Sequence, residues 1–305
     1  MNKLPRPKRV EIIKLLVEGM SLRAITRTTG VSINTVTSLL VTAGKACSEY
    51  QDRAFRNLTC RRVQIDEIWA FCYAKAKQVE TAKAAPDQAG DLWTFVAIDA
   101  DTKLVPSWMV GSRDAETART FIYDLEARIS TRIQLTSDGY RPYITAVMGA
   151  FEEVDYGMLV KHYATPHGEA QAARRYSPTE CVGATKELIS GNPNKAHIST
   201  SHVERQNLTM RMHMRRFTRL TNAFSKKAEN HAHAVALHFM HYNFCKIHMT
   251  LKCTPAMKAN VVHELWDVVD IVRVIESWVG QIAISLGNPT RRLRFCSTFF
   301  RRNVR

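Results

Sequence analysis

No uninterrupted apolar stretch in this chain approaches the ~18 residues that a membrane-spanning helix requires. The most apolar segment, Val261 to Leu286, is broken by Glu264, Asp267, Asp270, Arg273 and Glu276, so no membrane partner is expected. The basic N-terminus, MNKLPRPKRVEII, is not followed by an apolar core of the kind a secretory leader carries. Paired cysteine motifs are also missing. Seven cysteines stand at 47, 60, 72, 181, 245, 253 and 296, an odd count with no C-x-x-C pair. That pattern argues against a disulfide framework and against a zinc ribbon or finger. It fits free thiols in a reducing cytosol.

Acids are scarce. The chain has 43 Lys and Arg against 28 Asp and Glu, a formal net charge of +15 over 305 residues. Such an excess favours a polyanionic partner, and nucleic acid fits better than a membrane surface. The excess is clustered. Residues 1–63 hold twelve basic side chains and four acids, Arg205 to Lys227 seven and none, and Arg291 to Arg305 six and none. The alternative is a solvated surface kept for solubility. A hydrophobic content of 45% excludes wholesale disorder. The length suits two domains, one large and one small.

Three helices are expected first. Val10 to Glu18 is rich in apolar residues and stops at Gly19; Ser21 can cap a second helix that closes at Gly30. Ser32 can cap a third, with Ile33, Val36, Leu39 and Leu40 facing inward. Two helices joined by the tight turn Gly30-Val31-Ser32 form a helix-turn-helix pattern, whose second helix enters the major groove. Asn34, Thr35, Thr37 and Ser38 are its short polar outward residues, suited to base edges or phosphates. The bland alternative is a small bundle that mediates protein contacts. Gln51 to Arg62 shows no clear apolar face and reads as a linker.

Next come strands over 62–73, 92–98 and 104–110, with a polar loop from Lys75 to Asp91. A helix capped by Asp114 runs to Ile129, and a short strand from Ile133 ends at Asp138-Gly139. A helix over 144–152 and a strand over 158–165 follow. Residues 166–200 read as an insertion or loop, and a helix over 202–216 carries Glu204 early. This is the order of a ribonuclease-H-like core. Its first and fourth strands are neighbours, so Asp66 and Asp138 can converge, and the helix with Glu204 can close the third side.

Phosphodiester cleavage needs an activated oxygen nucleophile, in-line geometry and neutralised charge on the attacking and leaving oxygens. A pair of divalent cations supplies these. Mg²⁺ prefers oxygen ligands, so Asp66, Asp138 and Glu204 are the candidate catalytic and metal-holding residues, with Asp66 shared. Each has a plain alternative. Asp138-Gly139 fits a turn, and Glu204 fits a surface acid paired with Arg205. Glu67 is the rival of Asp66, but strand alternation places only one of the two on the active face. Asp99 and Asp101 fit a hairpin turn better.

The stretches VQIDEIWAF (63–71), LTSDGYRPY (135–143), HVERQNLTMRMHMRRFTRLTNAFSKK (202–227) and HYNFCKIHMTLKCTPAMKA (241–259) resemble the DDE transposases of bacterial insertion sequences, of the insertion-sequence-one type. The resemblance spans roughly 63–276. It implies an enzyme dependent on Mg²⁺, with Mn²⁺ as a substitute, that nicks element ends and joins the freed 3′-hydroxyl to target DNA. By motif, Asp66, Asp138 and Glu204 match the acidic triad. Arg211 matches a basic residue two helical turns after the glutamate that contacts DNA near the cleaved end. The resemblance also implies a homo-oligomer on double-stranded DNA, in the cytoplasm and nucleoid-associated. The cysteine-rich sequence that such relatives often carry ahead of the helix-turn-helix is missing.

The expected fold is therefore α/β, a ribonuclease-H-like mixed sheet with flanking helices preceded by a small all-α helix-turn-helix domain. The expected division is a DNA-binding domain over 1–50, a linker over 51–62, a catalytic domain over 63–250, and a C-terminal helix and basic tail over 251–305. Alternatives are a helix-turn-helix regulator with a silent core and a ribonuclease-H-like nuclease. Arg205, Arg211, Arg215, Arg216 and Arg219 are candidate phosphate contacts, with Arg205, Arg211 and Arg215 foremost. His238, His241, Cys245 and His248 share one helix face but cannot wrap an ion from a straight helix, so a packed or partner-facing stripe is expected. His202 is expected to pack at a helix entry, the alternative being a place near the metals or phosphate; Trp69, Trp93 and Trp108 are expected in the core, and 261–282 as an amphipathic helix on the core or a second subunit.

Overall fold

A computed structural model describes residues 4–164, 181–218 and 222–286. The chain opens with α1 (Arg6–Val17), α2 (Leu22–Thr29) and α3 (Ile33–Ala54). Ser21 accepts the N–H of Ala24 at 3.2 Å and Ser32 that of Thr35 at 3.3 Å, so both serines satisfy otherwise orphaned helix donors. Gly30 ends α2 at φ 72°, a left-handed backbone that a side chain would strain. Ile12, Ile25 and Val36 form a small core of their own, one residue from each helix. Ile33 was expected inward and is instead 40% exposed, because the α2–α3 turn places the first residue of α3 outside that core.

The stretch 51–62, which reads from the sequence as a linker, packs on the main core over part of its length. α3 continues through Ala54, and Phe55, Leu58 and Cys60 are all buried. Gln51 is buried as well and donates to the carbonyl of Ala236 at 3.2 Å. These apolar residues are too irregularly spaced to make a helical or strand pattern, yet each drops into the main core. α3 thus joins both cores, Val36 serving the small one and Leu40, Ala43, Ala46 and Cys47 the large one.

Among the described residues, six strands form one sheet in the order β3-β2-β1-β4-β5-β6. They are β1 (Arg62–Cys72), β2 (Gly90–Asp99), β3 (Trp108–Gly111), β4 (Gln134–Asp138), β5 (Asp155–Tyr163) and β6 (Cys181–Ser190). β1 pairs antiparallel with β2 and parallel with β4; β2–β3 and β5–β6 are antiparallel and β4–β5 is parallel. With the helical N-terminal part and helices flanking the sheet, this is the ribonuclease-H-like α/β fold. β6 lies within the stretch expected to be a loop. It is an edge strand, exposed over most of its length, so no apolar alternation marks it. β3 starts later than expected because Asn243 takes both backbone groups of Val105, at 3.0 and 3.1 Å.

The helices after the first three strands are α4 (Ala115–Glu126), α5 (Pro142–Ala150), α6 (Ser201–His213), α7 (Ala228–Phe244), α8 (Pro255–Lys258) and α9 (Val268–Leu286). α4 and α5 cover one face of the sheet, where Phe95 meets Phe121 and Tyr143 at 5.7 and 6.2 Å. α6 packs on β1 and β2. α7 lies against α3 so closely that a Cβ on Gly44 would fall 2.4 Å from His233. α9 packs on α3 and α1: Ile271, Val272 and Ile275 are buried and Trp278 donates to Glu49 at 2.7 Å. It begins at Val268, later than expected, where Asp267 accepts from Val268 at the helix start and donates its own backbone N–H to Asp270 at 2.9 Å. Trp108 is buried, whereas Trp69 and Trp93 are half-buried. No helix among the described residues is long and apolar enough to cross a membrane.

Candidate active site

The register of the sheet brings the first two acids together. β1 and β4 pair from Arg62↔Gln134 to Ile65↔Ser137, so Asp66 and Asp138 follow directly at the end of that pairing. Oxygens of Asp66, Glu67 and Asp138 lie within 4.8 Å of one another. Glu67 therefore joins the group, contrary to the expectation from strand alternation. Asp138 stands at the last position of its strand, where a side chain is not confined to one face.

Each carboxylate is held differently. Asp66 accepts from Asn207 of α6 at 2.9 Å. Glu67 is buried, pairs with Arg113 at 2.6 Å and accepts the Tyr143 hydroxyl at 3.0 Å. The Arg113 guanidinium is in turn stacked between Trp93 and Tyr140, 4.9 and 4.3 Å from the ring centres. Asp138 accepts the N–H of Tyr140 at 3.1 Å, an Asx turn that leads into α5.

Glu204 comes from the first turn of α6. It stands outside the group of three, bonded to Lys161 of β5 and to the Thr200 hydroxyl. It remains close enough for its charge to act on both Asp66 and Asp138. The helix is set in place from β1. Gln64, buried two residues before Asp66, accepts the backbone N–H groups of His202 and Val203 at 2.8 and 3.2 Å. Thr200 itself caps nothing, so a strand residue supplies the missing helix cap.

The electrostatics are those of crowded acids. Burial first, then the charges of Asp138 and Glu67, push Asp66 up to about 8. Burial also raises Glu67 and Asp138, while Arg113 pulls both back. Hard oxygen donors that repel one another in a half-dry site form the donor set that divalent cations such as Mg²⁺ prefer. The residues present fit such an ion.

The remaining sequence candidates lie elsewhere. Asn34, Thr35 and Ser38 are exposed on α3 and Thr37 is half-buried, its hydroxyl donating to Ile33 at 2.8 Å. Arg205 is exposed and Arg211 half-buried on α6. The helix expected to reach Arg216 ends at His213, and Arg215 is exposed in a short 3-10 turn over Arg215–Phe217. Arg219 and the tail beyond residue 286 fall outside the described residues. His202 faces Lys103, 3.2 Å away, not the acids. Asp99 caps its turn, accepting from Thr102 at 3.1 Å. α7 ends at Phe244, so Cys245 and His248 leave the helix that carries His238 and His241.

No family model and no curated protein matches the chain. Among solved structures it is similar to a piggyBac transposase synaptic complex with hairpin DNA, at 10% identity and TM-score 0.43 over 98% of this chain and 77% of that one. It is also similar to the Mos1 strand transfer complex, at 16% identity and TM-score 0.22 over 77% and 78%. The Mos1 mariner paired end complex with Mn matches at 14% identity and TM-score 0.22 over 79% of each chain. At these values the chemistry of the site rests on its own residues.

Gln64, Asn207, Arg113 and Lys161 are the residues that the sequence did not single out. Gln64 shares its strand face with Asp66 by the two-residue period, and Asn207 shares its helix face with Glu204 by the i, i+3 spacing. Nothing local marks Arg113 or Lys161, whose partners are 46 and 43 positions away.

Proposed function

We propose that this chain is a DDE transposase that cleaves the ends of its own DNA element and joins them to target DNA. The observation that carries the proposal is the meeting of Asp66 and Asp138 at the β1–β4 junction, with Glu204 on α6 near enough for its charge to act on both. Asp66, Asp138 and Glu204 are the residues that would hold Mg²⁺, with Mn²⁺ able to substitute. When bound, the ions supply a nucleophilic oxygen at neutral pH and charge neutralisation on the phosphodiester. Around them the chain does the positioning. Asn207 orients Asp66, Gln64 fixes the entry of α6, and Arg113 balances Glu67.

The partner is double-stranded DNA, both element end and target. Asn34, Thr35, Thr37 and Ser38 face the major groove from the second helix of a helix-turn-helix, and Arg205, Arg211 and Arg215 contact phosphates near the acids. Action on two ends at once calls for a homo-oligomer on DNA, in the cytoplasm at the nucleoid. The insertion-sequence-one type is the family this reading favours.

The test is a nicking and strand-transfer assay on DNA carrying the ends that flank the coding region, with Mg²⁺. The wild-type protein is expected to give nicked and joined products, and Asp66→Asn, Asp138→Asn and Glu204→Gln are each expected to abolish both. Full activity in any of the three overturns the proposal. Nicking without joining identifies a nuclease, and binding without nicking a regulator.

A further inference from the structure

Lys161 occupies an unusual place. It lies on β5 just beyond the last β4–β5 pair, Asp138↔Leu159, and its ammonium is bonded to Glu204. Its charge also acts on Asp66 and on Asp138. One ammonium is thus bonded to one acid of the proposed triad and acts at longer range on the other two. The acid it grips is the one that stands apart from Asp66, Glu67 and Asp138.

We infer that Lys161 is a positioning residue that stands in for a divalent cation, holding Glu204 aside until an ion displaces it. The inference deepens the proposed function and rests on it. Its physical basis is simple. Several carboxylates drawn together without a counter-charge repel one another, and an ammonium among them relieves that repulsion while the site waits. The same ammonium repels an incoming cation and must yield Glu204 before that carboxylate can serve as a ligand. Thr200 helps hold the waiting arrangement, its hydroxyl bonded to the same Glu204 oxygen that faces Lys161. Loading the site and releasing Glu204 are therefore one event.

The role is separable from general scaffolding. The Lys161 side chain is 28% exposed, so removing its charge leaves no sealed cavity. Its effect falls on ion affinity more than on folding. A lysine that merely supported the β5–β6 pairing would show the reverse.

The test is calorimetric titration of the full-length, metal-free protein with Mn²⁺. Lys161→Met is expected to tighten Mn²⁺ binding by roughly three- to tenfold, the scale of one like-charge repulsion removed from a partly exposed site. Lys161→Arg keeps the charge and is expected to bind as the wild type does. Lys161→Gln gives a second neutral variant in case the methionine form folds poorly. Unchanged or weaker binding in the neutral variants, with Asp66→Asn and Asp138→Asn still abolishing it, overturns the inference and leaves the proposed function standing. Mn²⁺ binding that is absent from the wild type, or indifferent to Asp66 and Asp138, overturns both.

Discussion

Gln64 accepts the backbone N–H of His202 at 2.8 Å, tying the strand that carries Asp66 to the helix that carries Glu204. The same oxygen takes the N–H of Val203 at 3.2 Å. Replacing Gln64 with Leu leaves two helix-start donors without their partner. The loss is expected to cost about 1–3 kcal/mol, the penalty of unsatisfied buried groups. Thermal unfolding measures it. Nicking is expected to fall further than that loss of stability explains, because Glu204 shifts with its helix, while DNA affinity stays within about twofold. Unaltered nicking by Gln64→Leu contradicts this coupling.

Stability should fall as pH rises when no metal is bound. Asp66 is held near 8 in the fold against 3.8 ordinarily. Between those values the folded protein keeps a proton that the unfolded chain has released, so folding is favoured at the acid end. That advantage is lost as pH climbs through about 8. Glu67 and Asp138, also raised, add to the same slope. Melting temperatures of metal-free protein between pH 5 and 8.5 are expected to decline, with Asp66→Asn flattening the decline. Added Mg²⁺ restores stability most at the alkaline end. A slope of the opposite sign, or one untouched by Asp66→Asn, contradicts the electrostatic description.

The order of elements and two of the gathered acids were legible in the sequence, because both depend on periodicity. Helical spacing marks α4, and the run of β-branched and aromatic residues marks β1. A strand that ends in Asp-Gly marks Asp138. What escaped has a common cause. β6 is exposed over most of its length, so no alternation announces it, and Phe55, Leu58 and Cys60 enter the core from a segment of irregular backbone. Alternation along β1 argues against Glu67, because neighbouring strand residues face opposite ways, a rule that weakens where the partner acid ends its strand. Lys161 and Arg113 act through partners distant in sequence, which no local pattern records.

Glu67 and Arg113 form a pair whose two halves should not behave alike. Removing Arg113 strands a buried carboxylate beside Asp66 and Asp138. Arg113→Ala is expected to destabilise the fold by about 1–3 kcal/mol, less than for a fully buried pair because the arginine is partly exposed. Glu67→Gln keeps the hydrogen-bond shape without the charge and is expected to cost less. In a double-mutant cycle followed by denaturant unfolding, the combined variant should lose less than the sum of the two. Strict additivity argues against the pairing.

Binding to DNA should divide between the two basic regions by salt dependence. Asn34→Ala and Ser38→Ala are expected to cost about 1–3 kcal/mol each on the element end where they read a base, and little on random sequence. Arg205→Ala is expected to weaken both alike and to lower the slope of log affinity against log salt by about 1. Electrophoretic or anisotropy titrations at several salt concentrations give both numbers. Sequence discrimination that survives the loss of Asn34 and Ser38 removes α3 as the reading helix.

The central claim, that Asp66, Asp138 and Glu204 gather divalent ions, is tested most directly by anomalous diffraction from crystals of the full-length protein soaked in Mn²⁺. The account predicts anomalous peaks in contact with Asp66 and Asp138, with Glu204 turned from Lys161 toward them, and no such peaks in Asp66→Asn crystals. Strong Mn²⁺ peaks elsewhere on the protein, with none at these acids, contradict it.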